Sequence, residues 1–429
     1  AFLKERNSSG MGADSVIYIR ADGNTEIATG HLVRCLSIAR ALKKELLAAG
    51  TTFTDSDGFP ITFLVSDQES KALLCGFFDC KEEFPVRILE TARYDDLEKE
   101  LPELLALIDR CEPSHVHAPA SNGAFPPVSG IALSPAAKPV LLVDSYFVTE
   151  RYFLSLKNHV TLVYLDDLRA FDYPVDLVIN YDILTPETQQ EYEHSYTRAG
   201  KKLLGGAFAP LRPQFQSVAK EILMISDDKV CHVLIASGGS DPYHTTLHLT
   251  EYLLAECPPG YCFHLLLGSM NPDRQALCEL ADKQNLYVSS SASAKASTVV
   301  LHQGVSDMAS LMQSCDLALS AAGTTLYELC AVGIPTASFI IADNQIASAN
   351  AFAQNDAIPC LGDVRTNEES IKKEAAHWVT SMNPYVRNQA ASVRLLRYRN
   401  ISKRMQQLVD GNGTVRIADA LLALLKSHS

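Results

Sequence analysis

"ADGNTEIATGHLVRCLSIARALKKE", residues 21–45, decides the fold. It continues the apolar run "SVIYIRA" (15–21), crosses a polar loop ending at Gly30-His31, and enters a helix-patterned segment. There Leu32, Cys35, Leu36, Ala39, Leu42 and Leu46 recur at spacings near three and four, a stripe able to face a sheet, while Arg34, Arg40, Lys43 and Lys44 point elsewhere. A strand that feeds a helix through a short polar turn is the opening unit of an α/β sheet.

Outward from this unit, apolar strand-like runs alternate with helix-like ones. "ITFLVS" (61–66), "KPVLLVDSY" (138–146), "VTLVYLDD" (160–167) and "DLVINYD" (176–182) are near-continuous apolar segments, as expected of parallel strands covered on both faces. After "GGAFAPLRPQF" (205–215) the rhythm restarts with "VCHVLIASGG" (230–239), "FHLLLGS" (263–269), "TVVLHQG" (298–304), "DLALSAAG" (316–323) and "PTASFIIAD" (335–343). The expected organisation is therefore a leader over 1–14, an N-terminal α/β domain over 15–205, a linker over 206–228, a C-terminal α/β domain over 229–405 and a terminal helix over 406–429. Residues 67–137, with an acidic helical stretch followed by a Pro/Ala/Gly/Ser-rich one, read partly as a surface insertion. Because ligands of open α/β sheets bind beyond the carboxyl ends of strands, a cleft between two such domains is the expected site.

At 429 residues, 47% apolar and 20% charged, the chain has the composition of a globular protein with sizeable cores. Its formal charge of −13 opposes nucleic-acid binding, which needs a broad positive field. The eleven cysteines are scattered, odd in number and contain no C-x-x-C pair, so they signal neither a disulfide framework nor a metal site, and they suggest a reducing cytoplasm. No apolar run approaches the roughly 18 residues of a membrane span.

Three turns carry chemistry. Gly30 lets the chain approach a ligand, and the helix that follows offers free N–H groups and a positive dipole end to an anion. His31 stands beside that seat, where the dipole disfavours its protonated form and leaves a neutral imidazole able to take a proton from water; a structural helix-end histidine is the other reading. "IASGGSDPYHTT" (235–246) ends a strand in Gly238 and Gly239, a phosphate cradle or a plain turn, and has neither the G-x-G-x-x-G nor the G-K-[ST] order. In "LALSAAGTTLYELCAVGIP" (317–335), Gly323, Thr324 and Thr325 suit a diphosphate. Glu328, one turn into the helix, could accept two ribose hydroxyls or be an ordinary solvated glutamate.

These motifs together resemble the family of hydrolases that remove UDP from UDP-2,4-diacetamido-2,4,6-trideoxy-β-L-altropyranose in pseudaminic acid biosynthesis. The resemblance is carried in order by "RADGNTEIATGHLVRCLSIA" (20–39), "LLVDSY" (141–146), "YLDDL" (164–168), "GAFAPLRPQF" (206–215), "ASGGSDPYHTT" (236–246), "SDMASLMQSCDLALSAAGTTLYELCAVGIP" (306–335) and "ADNQ" (342–345). It implies two Rossmann-like domains in a GT-B arrangement with an interdomain cleft, the sugar held by the first domain and UDP by the second, and no metal or cofactor. The family's catalytic histidine falls on His31 and its ribose-binding glutamate on Glu328. Arg20, Asp22, Gly30, Asp144 and Tyr146 are then expected around the sugar, with Gly238, Gly239, Asp241, His244, Gly323, Thr324, Thr325, Asn344 and Gln345 around the sugar and nucleotide. His244 stands where the family commonly has asparagine.

The implied reaction is attack of water on the anomeric carbon with inversion and release of UDP. Its partners are a small UDP-sugar and water, with no nucleic acid or membrane, and a monomer would suffice. Two other readings share these residues: a UDP-sugar glycosyltransferase, and a UDP-sugar-binding protein without activity.

Overall fold

The computed structural model describes residues 17–24, 26–27, 29–48, 60–80, 83–109, 138–219, 229–268, 270–290, 296–385 and 391–427. The expected leader over 1–14 lies outside the described residues, as do 110–137 and 220–228. Among those described, the strands form two wholly parallel sheets. Contacts divide the chain into two compact units. One holds the residues up to Tyr181, Gln190–Leu204 and the end from Thr414; the other holds Asp182–Gln189 and Gly205–Gly413.

The first unit is built on β1 (Ile17–Ala21), β2 (Ile61–Val65), β3 (Val86–Ile88), β4 (Val140–Asp144), β5 (Thr161–Leu165), β6 (Leu177–Asn180) and β7 (Lys201–Leu204), in the order β3-β2-β1-β4-β5-β6-β7. Its helices are α1 (Gly30–Ala48), α2 (Gln68–Gly76), α3 (Leu101–Asp109) and α4 (Glu150–Leu156); α5 (Pro186–Ser195) begins in the second unit and ends in the first. The second unit carries β8 (Cys231–Ala236), β9 (Tyr261–Leu267), β10 (Thr298–Gln303), β11 (Leu317–Ala321), β12 (Thr336–Ile340) and β13 (Cys360–Asp363), in the order β10-β9-β8-β11-β12-β13. Around it run α6 (Thr245–Glu256), α7 (Arg274–Ser290), α8 (Met308–Ser314), α9 (Thr325–Val332), α10 (Ile346–Gln354), α11 (Val364–Met382) and α12 (Ala391–Leu408). The last helix, α13 (Gly413–Ser427), has all but its first residue in the first unit. None of the described helices is long and apolar enough to cross a membrane.

The apolar runs became strands because every residue of β1, β4, β5, β11 and β12 is buried, as parallel strands flanked by helices require. Helix α1 covers its sheet with Leu32, Cys35, Leu36, Ile38, Ala39, Leu42 and Leu46. Each buried leucine there contributes about 2 kcal/mol. Caps fix other helix starts: Asp67 accepts from the Ser70 N–H at 2.7 Å, and Thr149 from the Tyr152 N–H at 3.1 Å.

Parts of the expected insertion and of the expected linker are packed into the two units. Residues 68–109 extend the first sheet through β3 and place Glu100 in the core, so this part of the expected insertion belongs to the domain proper. Glu100 accepts from the Arg20 Nε at 2.9 and 3.0 Å and from the Tyr152 hydroxyl at 2.7 Å. Residues 206–215 of the expected linker belong to the second unit, where a Cβ on Gly206 would meet the Leu408 carbonyl at 2.7 Å.

In both sheets the strand order reverses direction beside the first strand of the unit, and there the carboxyl ends of two neighbouring strands diverge. Ala21 of β1 lies in register with Asp144 of β4, and Ala236 of β8 with Ser320 of β11. Such switch points are where open α/β sheets hold ligands.

The Arg20–Glu100 pair is buried, so Glu100→Ala removes one of the two carboxylates that hold the Arg20 guanidinium in the core and leaves only Asp22. A loss of about 3 kcal/mol is expected in denaturant unfolding of the first unit, with Glu100→Gln losing less.

Candidate active site

At the switch point of the first sheet, α1 begins directly over the end of β4. His31, in the first turn of α1, is 3% exposed, and its ring lies among charged and polar groups. Its Nδ1 stands 2.6 Å from Asp144 Oδ1, and the Tyr146 ring meets it edge-on at 4.5 Å. Arg34 Nη2 also lies 2.9 Å from Nδ1, but a carboxylate at 2.6 Å can only accept, so the contact assigns a proton to Nδ1, which donates to Asp144.

Arg34 organises the rest. One turn beyond His31 on the same helix face, it donates from Nε to Asp144 Oδ2 at 2.6 Å and from Nη2 to Asp144 Oδ1 at 2.5 Å, a two-point clamp on the carboxylate. Its Nη1 donates to the Tyr181 hydroxyl at 2.6 Å and to Asp167 at 3.1 Å. The sequence pattern sent Arg34 elsewhere because it falls off the apolar stripe of α1; the structure sends it to the end of β4, and the i,i+3 spacing from His31 was the available signal.

Electrostatics follow from burial. Desolvation alone would push the Asp144 carboxyl up, but Arg34 and His31 outweigh it and hold it well below the usual carboxylate range. The neighbouring Cys35 thiol is pushed well up, first by burial and then by the Asp144 charge, so it stays a neutral thiol 3.4 Å from Asp144 Oδ2. Burial and the Asp167 charge raise the Tyr146 phenol, which therefore remains protonated at neutral pH.

The other residues expected around a sugar are placed differently. Arg20 is 1% exposed and held by Glu100 and by Asp22, the latter at 2.6 Å, while its Nη2 is buried without a hydrogen-bond partner. Asp22 is likewise buried and takes the Ser66 N–H at 2.7 Å. Gly30 is exposed, and a Cβ there would touch nothing within 4 Å.

In the second unit the two glycine turns stand at the corresponding switch point. The first has Gly238 at φ +85°, but the α6 N-terminus behind it is occupied by the chain itself: Asp241 accepts from the Thr245 and Thr246 N–H groups, each at 2.9 Å. His244 adopts a left-handed conformation as the α6 cap residue and pairs through Nδ1 with Asp273 at 2.8 Å. The second turn is different. No side chain caps α9 at Thr324, so the Gly323-Thr324-Thr325 segment presents a helix N-terminus suited to an anion. Gln345 stands 3.9 Å from a Cβ built on Gly323, held by the Ile341 N–H that its Oε1 accepts; Asn344 precedes it in the same short 3₁₀ turn.

Glu328 lies one turn into α9 and accepts through Oε1 from Arg212 Nη2 at 2.8 Å and Nε at 3.2 Å. Burial raises its carboxyl against the pull of Arg212. Arg212, itself over the Phe215 ring at 5.4 Å, is a partner the sequence reading passed over within "GAFAPLRPQF". The structure thus gathers His31, Asp144 and Tyr146 in one unit, and Gly323, Thr324, Thr325, Glu328 and Gln345 in the other.

No protein-family model matches the chain. It is 24% identical over 325 residues to the uncharacterized protein MJ1062 of Methanocaldococcus jannaschii, a match that takes in 74% of this chain and about half, 54%, of that protein's length. It is 25% identical to the spore coat polysaccharide biosynthesis protein SpsG of Bacillus subtilis over 96% of this chain and 98% of SpsG. Among solved structures, Acinetobacter baumannii MurG superposes with a TM-score of 0.59 at 14% identity, covering 95% of this chain and 99% of MurG. The chain therefore has the two-domain Rossmann-like α/β fold of the GT-B class.

A carboxylate whose pKa is depressed by folding adds stability that is fully present above its unfolded value, about 3.9, and is lost as pH falls through the folded one. Acidification below about pH 4 is therefore expected to unfold the first unit more steeply in the wild type than in Asp144→Asn, which costs about 3 kcal/mol at pH 7; paired denaturation curves across pH 2–7 check both.

Proposed function

We propose that the chain is a nucleotide-sugar hydrolase that releases UDP from a UDP-diacetamido-trideoxyhexose, the reaction implied by the resemblance to the pseudaminic acid family. The observation that carries the reading is the His31–Asp144 pair: an imidazole with one nitrogen fixed by a buried carboxylate, so that in the neutral ring the other nitrogen is the basic one. That is the arrangement a general base needs.

In this mechanism Nε2 of His31 takes a proton from a water molecule that attacks the anomeric carbon. The C–O bond to the diphosphate breaks on the opposite face, and the configuration inverts. Asp144 acts as a positioning residue: it holds the Nδ1–H and faces the positive charge that develops on the ring. His31, Arg34, Asp144 and Asp167 together carry one formal positive and two negative charges, so the proton gained by the imidazole brings the cluster to neutrality. The Gly323-Thr324-Thr325 turn takes the departing diphosphate on the α9 N-terminus, and Glu328, steadied by Arg212, accepts the ribose hydroxyls. The kinship with SpsG, named for polysaccharide biosynthesis, supports a nucleotide-sugar substrate.

A glycosyltransferase reading uses the same residues with a sugar hydroxyl in place of water. Incubation with the UDP-linked diacetamido sugar alone separates the two: UDP release without any acceptor supports hydrolysis, and release only after an acceptor is added overturns it. His31→Ala is expected to cut turnover at least about 100-fold with UDP affinity nearly unchanged, as measured by steady-state kinetics and calorimetry. Parallel loss of rate and affinity would make His31 structural. Glu328→Ala is expected to weaken UDP binding in the same calorimeter.

A further inference from the structure

The second sheet has a polar cluster that the proposed reaction does not use. One face of β8, β9 and β10 packs Val233, Ile235, Phe263, Leu265 and Val299 into the core. The alternate residues point the other way, and there His232 of β8, Cys262 and His264 of β9 and His302 of β10 lie side by side. Cys262 stands directly across the ladder from His232. His232 Nδ1 is 2.8 Å from His264 Nε2, and His264 Nδ1 is 2.9 Å from His302 Nε2. A ligand atom from each of His232, Cys262 and His264 lies within 4.8 Å of the other two, the one such His/Cys/Asp/Glu group among the described residues.

Three imidazoles in a row cannot all carry protons on facing nitrogens. Neutral imidazole is the form that ligates a metal. In the tautomer that gives its Nδ1–H to His302, His264 turns the Nε2 lone pair toward His232 and Cys262, and a metal-bound histidine characteristically donates its other N–H to an acceptor.

We propose that His232 Nδ1, His264 Nε2 and Cys262 Sγ form a binding site for a divalent transition metal of borderline softness, Zn²⁺ being the best match, with His302 as the acceptor that orients His264. Two nitrogens, one sulfur and an open fourth position for water suit a tetrahedral Zn²⁺. On binding, the Cys262 thiol releases its proton to solvent and the ring proton of His232 moves from Nδ1 to Nε2. The two facing nitrogens separate from hydrogen-bond distance to roughly 3.3 Å, the edge of a tetrahedron with metal–nitrogen bonds of about 2.0 Å. The cluster lies toward the amino ends of β8 and β9. His232 is six residues, about 20 Å of extended chain, from Gly238. The metal would pin β8 to β9, with β10 tied in through His302, rather than meet the diphosphate.

The test is Co²⁺ titration of the chelator-treated full chain, followed by Zn²⁺ competition. About one Co²⁺ per chain is expected, with visible bands of tetrahedral Co²⁺ and a near-ultraviolet thiolate-to-cobalt band, all abolished by Zn²⁺. Cys262→Ser should lose the thiolate band and His264→Gln at least about 100-fold in affinity. His302→Ala should bind about 10-fold more weakly. Cys278→Ser, at an exposed cysteine outside the cluster, should titrate as the wild type does. Absence of the thiolate band in the wild type, or its persistence in Cys262→Ser, overturns the proposal. Because Cys262→Ser is nearly isosteric, it decides the matter even if His264→Gln does not fold, and no readout depends on turnover of a nucleotide sugar.

Discussion

The carboxylate of Asp144 is the constraint on which the first unit depends. It sits at the end of a buried strand, out of reach of water, and a bare charge in that position would cost several kcal/mol. Arg34 meets that cost with a two-point clamp, and its remaining nitrogen must then be satisfied in turn by Tyr181 and Asp167. Each compensation fixes another element: α1 against β4, and the segments after β5 and β6 against α1. The His31 ring is held as a by-product of this closed circuit, which fixes its orientation.

The second unit solves the same problem of strand ends differently at its two glycine turns. Behind Gly238 and Gly239 the chain supplies its own anion, the Asp241 carboxylate, to the α6 N-terminus. Behind Gly323 no side chain does so at Thr324, so the α9 N-terminus has no such cap. Two turns that look alike in sequence thus differ in whether the dipole is already satisfied. The difference rests on a single aspartate four residues ahead of one helix's first N–H groups.

Much of this architecture was legible. Nine of the ten apolar runs, over β1, β2, β4–β6, β8, β9, β11 and β12, announced themselves because interior parallel strands bury both faces, whereas β10 is a half-buried edge strand recognisable by its short Val-Val-Leu run alone. Strands β3, β7 and β13 did not, for they hold only half-buried or exposed residues such as Lys201 and Lys202 and so lack an apolar signature. His31 was conspicuous at its helix entrance, whereas Arg34 and Glu100 were hidden among ordinary helical charges; only folding shows which charged residues are enclosed. The imidazole row was equally hidden. His232, His264 and His302 are 32 and 38 residues apart, and nothing but the parallel ladder makes them neighbours.

The path of the chain between its two units has a practical meaning for anyone who wishes to dissect it. The backbone passes from one unit to the other after Tyr181, returns after Gln189, leaves again after Leu204 and comes back after Gly413. No single scission yields two self-sufficient halves: a fragment ending near residue 205 lacks the closing helix of its own globule, and the complementary piece carries that helix as an orphan. Isolated lobes would have to be made by grafting α13 onto the amino-terminal fragment through a designed tether.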